Sequence, residues 1–518
     1  VLARALGGDP AAREELADRM AGPLRFGTAG LRGPVRAGPN GMNRAVVVRT
    51  TAGVASWLNG HGHGGDLVVV GRDARHGSAE FATDVAEVLA AAGFDVRLLN
   101  RPLPTPVLAF AVQELGAAAG VQITASHNPA PDNGYKLYDD SGAQIIPPSD
   151  AEIEAAIEDA PAARSVPRAQ SYRTLYDEVL EPYLERVAEV PRLSARGVRV
   201  AVSALHGVGG TTAAEAFRLA GFADVHFTQD IPDPDFGGMA FPNPEEPGAC
   251  DELLTLAASV DADLAIAFDP DADRCAVGIP GPGGATGWRM LSGDETGGLL
   301  GEHVLSTEPS TDGVLVATTI VSSSLLQSIA AAHGAGFTET LTGFKWLARA
   351  GEHLVFAYEE ALGLCVDPDS VRDKDGISAA LMVAGLAAAR KAAGSSLQKG
   401  LDELASRHGV HLTCQLAVRL SERRRIDELM ANLRGEPPSD LAGTPVDLED
   451  LLPRTDGVRL SGEGLRVVVR PSGTEPKLKA YLQVVRPIPE GGTLDATRAV
   501  AGDTLATLRA EVQQLLGE

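Results

Sequence analysis

Apolar and polar positions follow one order three times along the chain. An apolar run of about five residues is followed by a helix-like segment and then by a Gly-Phe pair, with the runs at 67–71, 198–202 and 314–318. A buried strand, a helix and a glycine-terminated return to a second strand make a β-α-β unit. Three such units predict three similar α/β domains with mixed sheets covered by helices.

After about residue 412 the pattern changes. Apolar runs at 412–420 and 465–469 predict strands, and 496–516 has the spacing of a long amphipathic helix. This part of the chain predicts a fourth domain of the α+β class. The predicted domains are 1–190, 191–308, 309–411 and 412–518.

Composition limits the class of protein. A chain of 518 residues is too long for a single core. Its 45 Lys+Arg and 69 Asp+Glu residues give a net charge of −24, which argues against nucleic acid or an anionic membrane as partner. Four scattered cysteines lack metal-ligand or disulfide spacing, so reduced thiols are expected. With no apolar signal core and no membrane-length apolar run, we expect a cytoplasmic protein.

A serine follows one predicted strand in the segment T-A-S-H-N-P, residues 124–129. Asn128-Pro129 disfavours helix, and Asp132-Asn133-Gly134 predicts a turn. Ser126 is therefore expected on a tight, exposed loop, where rigid scaffolds often carry reacting groups. A helix cap or a surface turn is the alternative for a lone serine.

Three carboxylates on alternate residues follow the apolar strand at 264–268, in D-P-D-A-D-R. Such carboxylates repel one another unless a cation lies among them, and oxygen ligands suit Mg²⁺. An EF-hand loop is excluded because its sixth position is Arg274 and its twelfth is Pro280. A solvated acidic turn is the alternative.

Three further polar stretches are candidates for a binding site. R-P-S-G-T-E-P-K at 470–477 has the arginine, hydroxyls and glycine of a phosphate nest but not the nucleotide P-loop pattern. T-G-F-K-W at 342–346 places a lysine beside aromatics. The adjacent Glu359 and Glu360 could grip sugar hydroxyls, although a glycosidase needs facing carboxyl groups about 5 to 9 Å apart. Taken singly, each stretch is also typical of a turn or a charged surface.

Together, and in this order, these motifs resemble the α-D-phosphohexomutase superfamily over essentially the whole chain. F-G-T-A-G-L-R-G at 26–33 is similar to that superfamily's N-terminal signature. This opening, T-G-F-K-W and D-K-D-G at 373–376 most resemble the branch of phosphoglucomutase-2-type enzymes and phosphopentomutases. The resemblance implies four domains around a central cleft. It also implies transfer of a phosphoryl group between C1 and C6 of a hexose phosphate, glucose first, through a phosphoserine and a bisphosphorylated sugar.

The resemblance also implies roles for individual residues. Ser126 matches the phosphoryl carrier, and Lys136 matches a general acid/base. The implied Mg²⁺ ligands are the Ser126 phosphate, Asp269, Asp271 and Asp273. Arg32 matches a substrate-side contact, and His127 could orient the serine loop or pack there. The implied substrate contacts are Arg274, Lys345, Glu359, Glu360, Arg470, Ser472, Gly473 and Thr474.

The implied partners are small. They are a sugar phosphate as substrate, Mg²⁺ as cofactor and a sugar 1,6-bisphosphate as activator, for a monomer or weak homodimer that binds neither nucleic acid nor membrane. One departure concerns the sugar: where many relatives have a serine and some a histidine after the glutamate, this chain has Ala361 and Gly363. Mannose or pentose phosphates are therefore alternative substrates. An aspartyl-phosphate-type phosphatase with Asp269 as nucleophile, or an inactive sugar-phosphate sensor, is the alternative from another class.

Overall fold

The computed structural model describes residues 1–27, 30–192, 194–281, 287–419, 423–471 and 477–517. These residues divide into two compact units. Unit 1 contains residues 1–291 and 361–394, and unit 2 contains residues 292–360 and 395–518.

The strands of the described residues, in chain order, are β1 Gly30–Pro34, β2 Leu67–Arg72, β3 Asp95–Leu99, β4 Ala119–Ile123, β5 Asp132–Asp139, β6 Arg173–Leu175, β7 Val200–Ser203, β8 Val225–Thr228, β9 Leu264–Phe268, β10 Cys275–Pro280, β11 Trp288–Met290, β12 Leu315–Thr319, β13 Gly336–Thr340, β14 Leu354–Glu359, β15 Gly363–Cys365, β16 Val410–Arg419, β17 Asp440–Leu441, β18 Thr444–Pro445, β19 Asp447–Asp450, β20 Val458–Gly462, β21 Leu465–Pro471 and β22 Lys477–Arg486.

The α-helices of the described residues are α1 Leu2–Leu6, α2 Pro10–Arg19, α3 Arg44–Gly60, α4 Ser78–Ala91, α5 Thr105–Glu114, α6 Ser149–Asp159, α7 Leu180–Glu189, α8 Gly209–Leu219, α9 Asp251–Ser259, α10 Gly293–Thr307, α11 Leu325–His333, α12 Phe344–Leu347, α13 Gly376–Ala392, α14 Leu397–His408, α15 Arg423–Gly435 and α16 Leu494–Leu515. Short 3-10 turns lie at Ala163–Ser165 and Phe236–Gly238.

The first sheet of unit 1 has six strands in the order β1-β5-β4-β2-β3-β6. Strand β2 pairs in parallel with β3 and β4, whereas β5 pairs antiparallel with β4 and β1. The central residues Val68, Val70 and Val121 are fully buried, and α3 and α4 pack in the same core. The sheet is mixed, as the repeated strand-helix pattern predicts.

The second sheet of unit 1 has the order β11-β10-β9-β7-β8. Strands β8 and β9 flank β7 in parallel, and β10 returns antiparallel beside β9. Every residue of β9 is buried, which accounts for its uninterrupted apolar sequence. The connection from β9 to β10, residues 269–274, is the acidic segment of the sequence.

Helix α13 completes unit 1 with residues that follow a long excursion into unit 2. The carboxylate of Asp375 caps the helix by accepting from the backbone N–H groups of Ile377 and Ser378. The helix is buried from Gly376 to Ala388 and packs against α7, α8, β9 and β10. Its lack of a polar face follows from this position, since a helix covered on all sides carries no solvent-exposed stripe.

Unit 2 contains two kinds of sheet. Strands β13, β12 and β14 are parallel, with β12 in the middle. Strands β16-β22-β21-β20-β19 form an antiparallel sheet, and α16 packs on β16 and β22. The four-domain α/β architecture expected from the sequence, with an α+β domain at its C-terminal end, is confirmed.

Among the described residues, no single helix is both long and apolar enough to cross a membrane, although the consecutive helices α13 and α14, as a bent pair, meet the criteria of length and composition together.

Candidate active site

Ser126 lies three residues past the end of β4, in the loop that leads to β5. Its φ of 53° is left-handed, which costs a non-glycine residue about 1 kcal/mol or more. Its N–H donates to the hydroxyl of Thr124 at 2.9 Å. The loop is tight, as predicted, but the expectation of exposure is wrong: Ser126 is 3% exposed, because a carboxylate of the acidic segment packs against its hydroxyl.

The predicted turn at 132–134 is also wrong, because these residues begin β5 and pair with β1. The side-chain amide of Asn133 donates to the carbonyl of His76 and the hydroxyl of Ser78, so it connects β5 to the start of α4. A Cβ on Gly134 would lie 2.5 Å from the carbonyl oxygen of Thr124. The glycine is therefore required for the close approach of β5 to the serine loop.

The three aspartates of the acidic segment converge in the loop between β9 and β10. Asp269, Asp271 and Asp273 are fully buried, and one carboxylate oxygen of each lies within 4.8 Å of the other two. The hydroxyl of Ser126 donates to Asp269 Oδ2 at 3.0 Å. Residues 143 positions apart in the sequence thus share one buried site inside unit 1.

Backbone contacts hold the acidic loop in place. The Thr105 hydroxyl donates to Asp271 Oδ2 at 2.6 Å, and the Thr105 N–H donates to the Asp271 carbonyl at 2.9 Å. On the other side a Cβ on Gly207 would lie 2.4 Å from Pro270, so only glycine permits this packing. The N–H of Arg274 donates to Asp269 Oδ1 at 3.0 Å. The carboxylates are therefore preorganised by neighbouring groups.

Lys136 points its ammonium group between two of the carboxylates. Its Nζ donates to Asp271 Oδ2 at 2.6 Å and to Asp273 Oδ2 at 2.9 Å, and the side chain is 4% exposed. Burial acts to lower the pKa of Lys136, but Asp271 and Asp273 outweigh it and raise that pKa. Lys374 adds a second ammonium, 3.4 Å from Asp273 Oδ2.

The three carboxylates differ in proton affinity. Burial, followed by repulsion from Asp273 and Asp271, raises the pKa of Asp269 well above its usual range. For Asp271 burial acts in the same direction, but Lys136 and the Thr105 hydroxyl prevail and lower its pKa. The carboxylate that accepts from Ser126 is thus the least compensated of the three.

The donor set fits a divalent cation. Asp271 Oδ1 and Asp273 Oδ1 are buried, and neither has a hydrogen-bond donor among the described residues. Ligand oxygens around one octahedral Mg²⁺ stand about 2.9 to 4.2 Å apart, and the three carboxylate oxygens, which lie within 4.8 Å of one another, are already gathered near that range. Carboxylate oxygens without donors suit Mg²⁺ better than a soft metal. Asp269, Asp271, Asp273 and a phosphorylated Ser126 would hold the ion.

Three other candidate residues lie near the serine. His127 Nδ1 is 3.2 Å from the Ser126 hydroxyl oxygen, and burial, then Arg274 and Arg32, lower the pKa of its imidazole well below the usual value. Arg274 Nη1 lies 3.4 Å from Glu245 Oε2, and its Nε lies 3.9 Å from Asp269 Oδ2. Arg32 is exposed on β1, where it pairs with Gly134. Arg274 and Arg32 thus add positive charge beside the buried aspartates.

Unit 2 carries the candidate sugar and phosphate contacts. Lys345 in α12 is 6% exposed, and its Nζ stands 5.4 Å from the ring centre of Trp346. Glu359 is the last residue of β14. The Glu360 carboxylate accepts from the hydroxyls of Ser322 at 2.9 Å and Thr319 at 3.2 Å. Burial, then the charge of Glu359, raises the pKa of Glu360 to about 7.

Arg470 lies near the end of β21, opposite Lys479 of β22. The remaining predicted phosphate contacts, Ser472, Gly473 and Thr474, lie outside the described residues.

Sequence reasoning assigned no role at this site to Lys374, Thr105 or Arg75, which all contact it. Thr105 donates to Asp271, and Arg75 inserts its guanidinium behind the serine loop. The charged pair Asp73 and Arg75 directly follows β2, a strand with four buried residues, and such charges beside a core were a usable signal. No comparable signal marks Thr105, whose contact spans 166 residues.

The sequence matches four domain descriptions of one family. They are the Phosphoglucomutase/phosphomannomutase alpha/beta/alpha domains I, II and III at residues 23–164, 181–281 and 292–408, and the C-terminal domain at 416–487. Together these matches cover most of the chain in the expected order.

Three curated relatives are similar over nearly the whole length. "Probable phosphomannomutase" of Haemophilus influenzae is 40% identical over 473 residues, covering 89% of this chain and 96% of the relative. Phosphoglucomutase of Staphylococcus epidermidis is 32% identical over 510 residues, with 91% and 92% covered. Phosphopentomutase of Mus musculus is 31% identical over 541 residues, with 92% and 86% covered.

Among solved structures, a phosphoglucomutase/phosphomannomutase family protein of Burkholderia thailandensis superposes with a TM-score of 0.73 at 21% identity, covering 95% of this chain and 97% of that one. This likeness concerns the fold.

Proposed function

Because the chain belongs to the phosphoglucomutase/phosphomannomutase family and is a phosphosugar mutase, an intramolecular phosphotransferase, we propose that it interconverts glucose 1-phosphate and glucose 6-phosphate through a phosphoserine at Ser126. One observation carries the proposal. The Ser126 hydroxyl lies 3.0 Å from a carboxylate of a buried three-aspartate cluster that fits a divalent cation.

The proposed reaction has two transfers. In the first, the bond between phosphorus and Ser126 Oγ breaks as a bond forms to the free C6 or C1 hydroxyl oxygen of the sugar phosphate. The proton of that hydroxyl leaves to a base, and Ser126 Oγ takes up a proton. The bisphosphorylated sugar then reverses its orientation. In the second, the bond between the other phosphorus and its sugar oxygen breaks as a bond forms to Ser126 Oγ. The Ser126 hydroxyl gives up its proton, and the sugar oxygen regains one.

The roles of the residues follow from phosphoryl-transfer chemistry, which depends on positioning and charge neutralisation. Mg²⁺, when bound, supplies positive charge to the oxygens of the transferring group. Lys136 is the proposed proton carrier, since its Nζ is the ammonium closest to the carboxylates around Ser126 Oγ. His127 stays neutral beside the serine, and Arg274 adds positive charge for the phosphate.

The other proposed substrate contacts belong to unit 2. Glu359 reads sugar hydroxyls, Lys345 and Arg470 bind phosphate, and Glu360 shapes the recognition turn through Ser322 and Thr319. A sugar 1,6-bisphosphate would phosphorylate Ser126 in a newly made enzyme. The proposed oligomeric state is a monomer or a weak homodimer.

Phosphomannomutase activity is the second candidate. The Haemophilus relative, at 40% identity, carries that name, and Ala361 and Gly363 offer no hydroxyl or imidazole to the sugar. We therefore expect weak discrimination between glucose and mannose, and slower turnover of ribose 1-phosphate. Steady-state kcat/KM on the three 1-phosphates, measured side by side, ranks them.

The experiment for the proposed function maps the phosphoenzyme. Purified protein is incubated with glucose 1,6-bisphosphate carrying labelled phosphate, and peptides are sequenced by mass spectrometry. We expect the label on Ser126 and its loss, with all mutase activity, in Ser126→Ala. Ser141→Ala, which removes a hydroxyl bound to Asp139 in the next loop, is the matched control and should retain both. Label on Asp269 would establish the phosphatase alternative. Absence of label and turnover would leave the sensor.

A further inference from the structure

Arg75 is a buried arginine that the assigned chemistry does not use. It follows β2 by three residues, and its side chain is 0% exposed. Neither the predicted metal ligands nor the predicted substrate contacts include it. A guanidinium stays protonated in proteins, so a full positive charge lies inside unit 1 beside the serine loop.

The guanidinium binds four carbonyl groups of that loop. Its Nη2 donates to the carbonyl oxygens of Ser126 and Asn128, and its Nη1 donates to those of Pro129 and Asp132, at distances of 2.5 to 3.1 Å. All four acceptors lie within seven consecutive residues that begin at the serine itself. Only the planar fork of arginine presents several donors in fixed directions, so one side chain determines the course of the loop.

Arg75 is itself fixed from behind. Its Nε stands 3.2 Å from Asp73 Oδ2, and its Cζ lies 4.8 Å from the centre of the Phe236 ring. The other oxygen of Asp73 accepts from the Arg75 N–H at 3.0 Å and from the Ser78 hydroxyl at 2.6 Å. A side chain held on both faces transmits its position to whatever it binds.

The loop needs such support because Ser126 adopts a left-handed φ of 53°. A non-glycine residue keeps that conformation only where its surroundings determine it. The carbonyl of Ser126 is bound by Arg75, and the N–H is bound by Thr124. Between these two anchors the side chain is directed to Asp269, 3.0 Å away.

We propose that Arg75 is a positioning residue for phosphoryl transfer, holding the serine loop so that Ser126 Oγ faces the metal-binding carboxylates. The inference rests on the proposed function, because it takes Ser126 as the phosphoryl carrier. Arg75 binds backbone carbonyl oxygens beside the serine and makes no hydrogen bond to the Ser126 hydroxyl among the described residues. Its effect is on the geometry of attack, and a displacement of about 1 Å at a reacting atom lowers rates about 100-fold.

The test compares Arg75→Lys and Arg75→Ala with Arg44→Lys. Lysine keeps the charge but cannot span four carbonyls, and alanine leaves a space shaped for guanidinium. Arg44 is the matched control, since it forms a bidentate pair with buried Asp84 and has no place in the proposed site. We expect kcat of Arg75→Lys to fall about 100-fold, with KM for glucose 1-phosphate and the half-saturating Mg²⁺ concentration within about threefold of the parent. Arg44→Lys should keep kcat within about twofold.

Chemical rescue separates positioning from a general loss of structure. Millimolar guanidinium chloride, far below denaturing concentrations, should raise the activity of Arg75→Ala at least tenfold over its activity without added salt. Ethylammonium chloride should not. If Arg75→Ala does not fold, Arg75→Lys still gives the split between kcat and KM. Unchanged kcat in Arg75→Lys, or equal rescue by both salts, would overturn the proposal. Peptide mapping of the unmutated protein is read separately: label on a residue other than Ser126 overturns the proposed function, whereas label on Ser126 with normal kcat in Arg75→Lys overturns only this inference.

Discussion

Replacing Lys136 by methionine tests how the acidic cluster is balanced. Its ammonium group is bound to Asp271 and Asp273 at 2.6 and 2.9 Å, and all three side chains are buried. Methionine has nearly the same length but no charge. The substitution therefore leaves two buried carboxylates without their principal cation, beside a third whose pKa is already raised.

The expected cost is large. Removing one partner of a buried ion pair costs about 3 to 5 kcal/mol. For a cooperative unit as large as unit 1, a loss of 1 kcal/mol lowers Tm by about 1.5 °C, so Lys136→Met should melt about 5 °C below the parent. A divalent cation should replace the missing charge. At 100 times its Kd a ligand stabilises by about 2.7 kcal/mol, which is about half or more of that loss.

The assay is thermal unfolding followed by circular dichroism at pH 8, in EDTA and in 10 mM MgCl₂. We expect Mg²⁺ to raise Tm of Lys136→Met more than it raises Tm of the parent, because the ammonium group of Lys136 no longer competes for Asp271 and Asp273. Lys391→Met is the matched control. Lys391 makes a contact of the same length, 2.6 Å to Asp263, but its side chain is 53% exposed, and exposed pairs contribute about 1 kcal/mol or less. If the difference in Tm between Lys136→Met and the parent is the same in EDTA and in Mg²⁺, the reasoning is refuted.

Three further predictions follow from single contacts. Thr105→Val removes the hydroxyl that donates to Asp271 at 2.6 Å and should weaken Mg²⁺ binding about tenfold by calorimetry; unchanged affinity would deny Thr105 that role. Gly207→Ala places a Cβ 2.4 Å from Pro270 and should cost about 1 to 3 kcal/mol in the stability of unit 1, read from denaturant midpoints against Gly197→Ala, whose added Cβ has no neighbour within 4 Å; equal midpoints would contradict the clash. Glu360 has a pKa raised to about 7 in the folded protein, so the stability it contributes is present at low pH and is lost as pH rises through 7. Between pH 5.5 and 8 the parent should lose about 2 kcal/mol relative to Glu360→Gln, and parallel pH profiles of Tm would exclude this assignment.

The acidic loop shows how far the sequence carries. Strand β9, Leu264–Phe268, has the bounds predicted from its five apolar residues, and the carboxylates follow at once. Because the strand can be predicted from its apolar run, the position of the charged segment at the strand end can be predicted as well. The same reasoning placed Ser126 beyond β4, and the structure brings the two strand ends together within unit 1.

Contacts between distant segments were beyond this reasoning. The exposure of Ser126 was wrong because burial depends on Asp269, which no local pattern connects to it. The turn expected at Asn133-Gly134 was wrong because pairing of β5 with β1 prevails over the local preference for a turn. Arg75 was missed for a related reason, since the four carbonyl groups that it binds are more than fifty positions away in the sequence.

Helix α13 has a consequence for dissection of the protein. The proposed metal ligands and Ser126 lie before residue 291, yet the unit that contains them is completed only by a helix that begins some eighty residues later in the chain. A fragment that stops at residue 291 would expose the surfaces of α7 and α8 against which α13 packs. No single truncation of the chain therefore yields unit 1 intact. The chain must be synthesised through residue 394 before the segment that carries Ser126 has all its packing partners.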